Sequence, residues 1–308
     1  MTFKSAVKLS FLNLDKVWKY VLYRIVVWAI IIGLMSPCFR VIGNAFKDFT
    51  NSSAFKDFMS AGLFYSGTIT DVAKGIIVEV WAFITLLATN QLFVLIYYAF
   101  LLLVLLPTLM NMGKYAVNSM MYGYMSSYAK QSFSTTYISS FGKAFVFGIC
   151  RSLFNLVFNM SAILLFVGLV NIPSEGFEYI MPYIFVVLGA LILTLKQMFV
   201  FGWAPSMLVC GMNAIRAFGF GIKTTFRRFG ISFVTSFTVY LLSLLLFVGF
   251  GIYSLIVIVP MFSIVMSIAE MILFFGNHGM KYYIDGDTII SPKRHEELDK
   301  IKQIKFLL

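Results

Sequence analysis

Few side chains in this 308-residue chain stand where polar chemistry inside an apolar medium would occur. Lys196 and Gln197 lie side by side in the apolar run 179–203, Glu270 lies in the run 254–275, and Asn90 with Gln91 interrupts the run 80–112. An unpaired charge in hydrocarbon costs at least about 2.5 kcal/mol, so such groups pair with one another or face a wet cavity. Counted along their runs, Lys196 and Glu270 reach similar depths, which permits an ion pair between the fourth and sixth helices. The reading with chemical content is a polar cavity open to the cytoplasm and lined by Lys196, Gln197, Glu270 and Asn90. In the competing reading Lys196 snorkels to the headgroups, Glu270 packs on helix ends, and the amides hydrogen-bond to neighbouring helices.

The remaining reactive types point to no reaction. His278 closes the last apolar run and His295 stands beside Glu296 and Glu297, neither with a second His or Cys at metal-ligand spacing, so no metal or cofactor is expected. Cys38, Cys150 and Cys210 show no CxxC spacing, and Cys38 falls at the opposite face from the other two, beyond the ~7 Å Cα reach of a disulfide. Free thiols packed as small hydrophobes are the expectation. Without a nucleophile elbow, a Walker loop, a zinc-helix motif or a dinucleotide fingerprint, the chain reads as a non-enzyme.

The elements that would position these groups follow from composition. At 60% apolar and 12% charged residues, with a mean hydropathy of +0.90, the chain is a membrane protein rather than a soluble domain. Its net charge of +11 sits beside the apolar runs, so anionic lipid is the expected partner, with other membrane proteins as a further class and nucleic acid excluded. Six runs supply the ~20 residues that cross ~30 Å of hydrocarbon: 20–43, 80–112, 154–170, 179–203, 231–250 and 254–275. The first exceeds the ~7 to 15 residues of a signal-peptide core and is expected to stay attached. Pro107 is expected to kink or end the second.

Basic residues concentrate between alternate spans, in 113–151, which has no acid, and around Arg216, Lys223, Arg227 and Arg228. With Lys4, Lys8, Lys16 and Lys19 ahead of the first span and a basic tail, both termini read as cytoplasmic. Segment 44–79 is expected to form short amphipathic helices on the outer surface. The tail reads YYIDGDTII, a hairpin around Asp285-Gly286, followed by Ser291-Pro292 and a charged helix.

Three segments spell one pattern: AVKLSFLNLDKVWKYV from Ala6, FGKAFVFGICRSLFNLV from Phe141 and FGFGIKTTFRRFGISFV from Phe218. Each reads as a basic amphipathic helix turning into a span, which makes Lys8, Lys16, Lys19, Lys143, Arg151, Lys223, Arg227 and Arg228 the candidate contacts to anionic lipid. Pro107-Thr108 with Gly113 and Pro205-Ser206 with Gly211 repeat a P-[ST]-x4-G pattern that the third copy lacks. The expected fold is all-α: a six-span domain over 1–280, with repeats at about 1–113, 139–211 and 216–280, and a cytoplasmic hairpin-and-helix tail over 281–308.

Through its amphipathic segments, chiefly 6–18 and 218–230, the chain resembles a group of uncharacterised bacterial six-span integral membrane proteins. These are related to the membrane-embedded half of certain glycerophosphodiester phosphodiesterases. The catalytic domain of that family, with its His and acidic metal ligands, has no counterpart in this sequence. The resemblance therefore implies a cytoplasmic-membrane module with no activity to carry over. The leading expectation is a non-enzymatic, membrane-organising or accessory subunit; the alternative is a small-solute transporter or channel using the Lys196 and Glu270 cavity.

Overall fold

Hydrocarbon offers backbone groups no hydrogen-bond partner, so apolar runs of this length must close their bonds internally and fold as helices. The computed structural model describes residues 2–39, 43, 47, 50–53, 56, 69–129, 131–170, 181–250, 254–284 and 288–291. Within them α1 (Thr2–Leu12) leads to α2 (Leu14–Met35), and α3 (Ile69–Asn90) leads to α4 (Leu92–Phe100) and α5 (Leu106–Ser127). Then come α6 (Phe133–Ser139), α7 (Phe141–Val170), α8 (Met181–Val200), α9 (Trp203–Val209), α10 (Ala214–Arg227), α11 (Phe229–Phe250) and α12 (Ser254–Asn277). Strands β1 (Tyr282–Tyr283) and β2 (Ile289–Ile290) pair antiparallel, with Tyr282 opposite Ile290.

Among the described residues six stretches are long and apolar enough to cross a membrane: Trp18–Cys38, Leu92–Ser127, Phe141–Leu164, Tyr183–Val209, Phe229–Leu246 and Ile258–Asn277. Large apolar side chains stand on their outer faces, among them Trp28 and Ile32 on α2, Phe93 and Ile96 on α4, and Val157 and Leu164 on α7. A contiguous apolar exterior of this kind is a surface made for lipid. The fold is all-α with a small terminal hairpin, and the chain is a multi-pass membrane protein.

One span differs from the others. The Ile258–Asn277 window is 72% buried, against 17–33% in the other five, because α12 is wrapped by α1, α2, α5 and α11. A helix apolar all round belongs at the centre of a bundle, and α12 buries Ile264, Val265, Ile268, Ala269, Met271 and Ile272 in succession. Ala6 and Leu9 of α1 and Ala116, Met120 and Met121 of α5 close over it. The hairpin seals one end, where the Tyr124 hydroxyl donates to the Ile284 carbonyl at 3.3 Å.

Several boundaries depart from the sequence reading. The second span does not end near Met112: α5 continues to Ser127 with Tyr115, Ala116, Val117 and Met120 buried, so the start of the supposed inner loop 113–151 is core helix. Pro107 does not end it: the proline stands in the first turn of α5, just after the π-helical turn Leu101–Leu105, and the helix runs on to Ser127. The segment from Phe141 is likewise no separate interfacial helix. It forms the first turns of the continuous α7, whereas α1 and α10 are separate helices. The two P-[ST] pairs act alike, Thr108 Oγ1 donating to the Val104 carbonyl and Ser206 Oγ to the Gly202 carbonyl, but their glycines do not. Gly113 lies against the Tyr23 ring, whereas Gly211 takes a positive φ of 64° in a turn. The expected turn at Asp285-Gly286, the tail helix with His295, the outer loop 171–178 and most of 44–68 lie outside the described residues.

The three cysteines are free thiols, as expected. At the end of α12 the His278 ring packs on Phe274 and Phe220, its Nδ1 2.9 Å from the Phe274 carbonyl oxygen. Burial holds His278 below its ordinary value of 6.5, more than the Phe274 carbonyl raises it. The unfolded chain therefore takes up a proton that the folded one refuses, and stability present above about 6.5 falls as the pH drops below it. Melting in detergent across this range should show an acid limb that His278→Phe flattens.

Where α9 and α10 cross, Gly202 and Gly221 touch backbone to backbone. A Cβ on Gly202 would stand 2.7 Å from the Gly221 carbonyl oxygen, and one on Gly221 would stand 2.7 Å from the Gly202 carbonyl carbon. Neither neighbour can move aside as a side chain would. Gly221→Ala is expected to cost about 1–3 kcal/mol of stability, as overpacking does, whereas Gly219→Ala on the open face of the same helix should be neutral or slightly stabilising. Thermal unfolding of the two variants in one detergent checks this.

Candidate functional site

A polar stripe on α5, spaced as a helix requires, starts the site: Thr108, Asn111, Lys114 and Asn118 recur at three- and four-residue intervals and are all buried. A second stripe of hydroxyls, Ser232, Ser236, Tyr240 and Ser243, runs down α11. Between them, on the central helix, stands Glu270 with its side chain fully buried. Lys114 Nζ lies 2.7 Å from Glu270 Oε1, and Gln197 Nε2 of α8 donates to the same oxygen at 2.5 Å. The Tyr240 hydroxyl then donates to Gln197 Oε1 at 3.1 Å. Four helices are thus tied through one carboxylate. Glu270 is seven residues from the end of α12, about 10 Å along the axis.

A second cluster joins α5 to α7. Thr108 Oγ1 and Asn111 Nδ2 both reach Ser152 Oγ at 3.2 Å, and Gly148 permits the close approach, since a Cβ there would stand 2.8 Å from the Thr108 carbonyl oxygen. Beside Ser152, the Arg151 guanidinium lies 5.5 Å from the Phe147 ring centroid, and its Nη1 is buried with no hydrogen-bond partner among the described residues. Its charge acts on both Lys114 and Lys196.

A cavity of about 250 Å³ opens between α2, α5, α11 and α12. Tyr20, Arg24, Asn111, Lys114, Tyr240, Ser243 and Ser263 supply its polar wall, and Val239, Phe262 and Met266 part of its apolar one. Among the described residues no three His, Cys, Asp or Glu side chains come together as metal ligands.

The sequence-derived residues divide on this geometry. Glu270 and Gln197 meet, but the partner of the carboxylate is Lys114, not Lys196. Adjacent residues on a helix point about 100° apart, so with Gln197 turned inward Lys196 faces α7, where Nζ donates to Asn159 Oδ1 at 2.7 Å. Asn90 ends α3 with its side chain exposed, and neither it, Lys196, Gln197 nor Glu270 lines the cavity, whose wall is instead Lys114 and Tyr240 in front of the carboxylate. Of the candidate lipid contacts, Lys8, Lys19, Lys143, Lys223 and Arg227 are exposed and Arg228 half-exposed, while Lys16 falls outside the described side chains. Arg151 is only 5% exposed and faces the bundle, so it is no surface contact.

Lys114, Arg24, Tyr240 and Asn111 escaped the sequence reading. The signal for Lys114 was its solitude: from Gly113 to Ala129 it is the single charge in a run rich in Met and Tyr. Breaking the pair from one side leaves a buried charge. Lys114→Ala and Glu270→Ala are each expected to cost about 3–5 kcal/mol, and the double replacement Lys114→Met with Glu270→Leu clearly less than the sum. Lys196→Ala, losing one half-exposed interhelical hydrogen bond, should cost under about 1 kcal/mol. A double-mutant cycle by denaturant unfolding in micelles distinguishes these values. No family model matches the chain, and no curated protein or solved structure matches it either.

Proposed function

We propose that this multi-pass membrane protein is a non-enzymatic small-solute transporter or channel component, and that its ligand enters the cavity in front of the Lys114–Glu270 pair. The observation that carries this reading is the cavity itself, about 250 Å³ and lined by Arg24, Lys114, Tyr20, Tyr240, Ser243 and Ser263 where α2, α5, α11 and α12 meet. A buried ionisable pair beside a polar hollow in a membrane domain is expensive to maintain for packing alone, and such groups commonly mark solute paths. Access is from the cytoplasmic side, where the basic segments lie and both termini reside.

A second reading rests on a different observation. Lys4, Lys19, Arg216, Lys223 and Arg227 are exposed on α1, the start of α2 and α10, and α10 segregates them from buried Ala217, Gly221 and Thr225. That pattern supports an accessory, membrane-organising subunit held against anionic lipid, in keeping with the resemblance of 6–18 and 218–230 to membrane modules. Thermal stabilisation and liposome flux across ions, amino acids and nucleosides separate the two. The transporter reading expects at least one solute class to raise the melting temperature or cross, and Ser263→Phe, which fills the cavity, to abolish the effect. Silence across the panel, with stabilisation by anionic lipid that Ser263→Phe leaves untouched, would leave the accessory role alone standing.

A further inference from the structure

Resting on that cavity reading, we propose that the ligand is an anion, carrying a phosphate or carboxylate group, and that Arg24 is the residue that grips it. The charge balance around the cavity is one-sided. Arg24 and Lys114 line it, and Arg151 adds its field behind Lys114. Against these cations stands Glu270, whose Oε1 is already shared between Lys114 and Gln197. Among the described residues no Asp or Glu lines the wall. On the four helices that form the wall the acids are Glu270 and Asp15, and Asp15 is exposed in the first turn of α2, nine residues and about 13 Å along the helix from Arg24; between Glu79 and Glu270 the chain contains only Glu175 and Glu178, which precede α8, whereas Gln197 lies at that helix's far end.

Arginine sharpens the point. Its guanidinium keeps its proton in any protein environment, so a half-buried Arg24 cannot escape its charge as a lysine can. It stands six residues past Trp18, the start of the first span, about 9 Å along the helix. Among the described residues no carboxylate pairs with it. A guanidinium is a planar fork of donors that matches a carboxylate or phosphate bidentately, and Tyr20, Tyr240 and Ser243 line the same space as Arg24. The volume falls below the roughly 300–1,000 Å³ of cavities for drug-sized ligands, so it suits a small organic anion or the headgroup of a lipid whose chains stay outside.

The test uses the full chain in nanodiscs. The soluble probes are inorganic phosphate, butyrate, tetramethylammonium and butanol, and the discs are made of phosphatidylglycerol or of phosphatidylcholine. Phosphate or butyrate, or the phosphatidylglycerol discs, should raise the melting temperature; Arg24→Gln should weaken that binding at least tenfold, and Arg24→Lys should restore part of it. A response to soluble anions assigns a free solute, and a response to phosphatidylglycerol alone that Arg24→Gln or Ser263→Phe removes assigns a lipid headgroup; one that both variants keep belongs to the exposed basic helices and overturns the inference. Where Arg24→Gln does not fold, the preference of the unaltered chain for anions over tetramethylammonium, and its loss in Ser263→Phe, decides the same question. Tetramethylammonium or butanol binding as well as the anions, and lost in Ser263→Phe, would overturn the anion inference and leave the cavity reading intact. Undiminished anion binding in Arg24→Gln would overturn the role of Arg24, and no response to any probe would overturn both readings.

Discussion

The bundle depends on one buried contact, Lys114 with Glu270. A carboxylate on the central helix cannot remain charged in hydrocarbon without donors, and the donors it has come from α5 and α8 on either side. Through Gln197 the constraint extends to Tyr240 on α11. Apolar helices in lipid gain little from one another by the hydrophobic effect, because lipid tails are as apolar as their side chains. A polar node fixes rotation and height where greasy surfaces alone would let helices slide.

The glycine contacts serve the same end by shape. Gly148 brings α7 within reach of Thr108, allowing Ser152 to bond across, and the Gly202–Gly221 crossing lays α10 on α9. From there Asn277 Nδ2 at the end of α12 donates to the Thr224 carbonyl, anchoring the basic helix to the central one. Small residues set the distances and a few polar groups the angles, so the outer faces of the spans are free to carry large apolar side chains.

What the sequence made legible was what hydrocarbon enforces. Six apolar runs had to be helices, and their number and rough placement are as expected. The hairpin strands were readable from YYIDGDTII. The site was half legible. Glu270 and Gln197 were identifiable as intramembrane polar groups, but equal depth along two runs says nothing about which way a side chain faces, and Lys196 turned to Asn159 instead. Lys114 was hidden by an ordinary rule, that a basic residue after a proline near the end of a span marks the inner loop. The Thr108–Asn111–Lys114–Asn118 spacing contradicted it, but a polar stripe reads as a helix face only when the helix is known to continue. Arg151 was taken for a surface charge for the same reason, its helix having been started too late.

The π-helical turn Leu101–Leu105 carries a consequence for that stripe. One extra residue in a turn advances everything beyond it by about 100° relative to what lies before. Upstream, α4 turns Val94 and Tyr98 inward and Phe93 and Ile96 to lipid; downstream, α5 turns Thr108, Asn111 and Lys114 to the bundle. The turn is therefore a phase setter, the joint at which a lipid-reading half of one long helix is clocked against a charge-reading half. Which residue of α5 addresses the carboxylate is decided some ten positions away, by the length of a single loop of backbone.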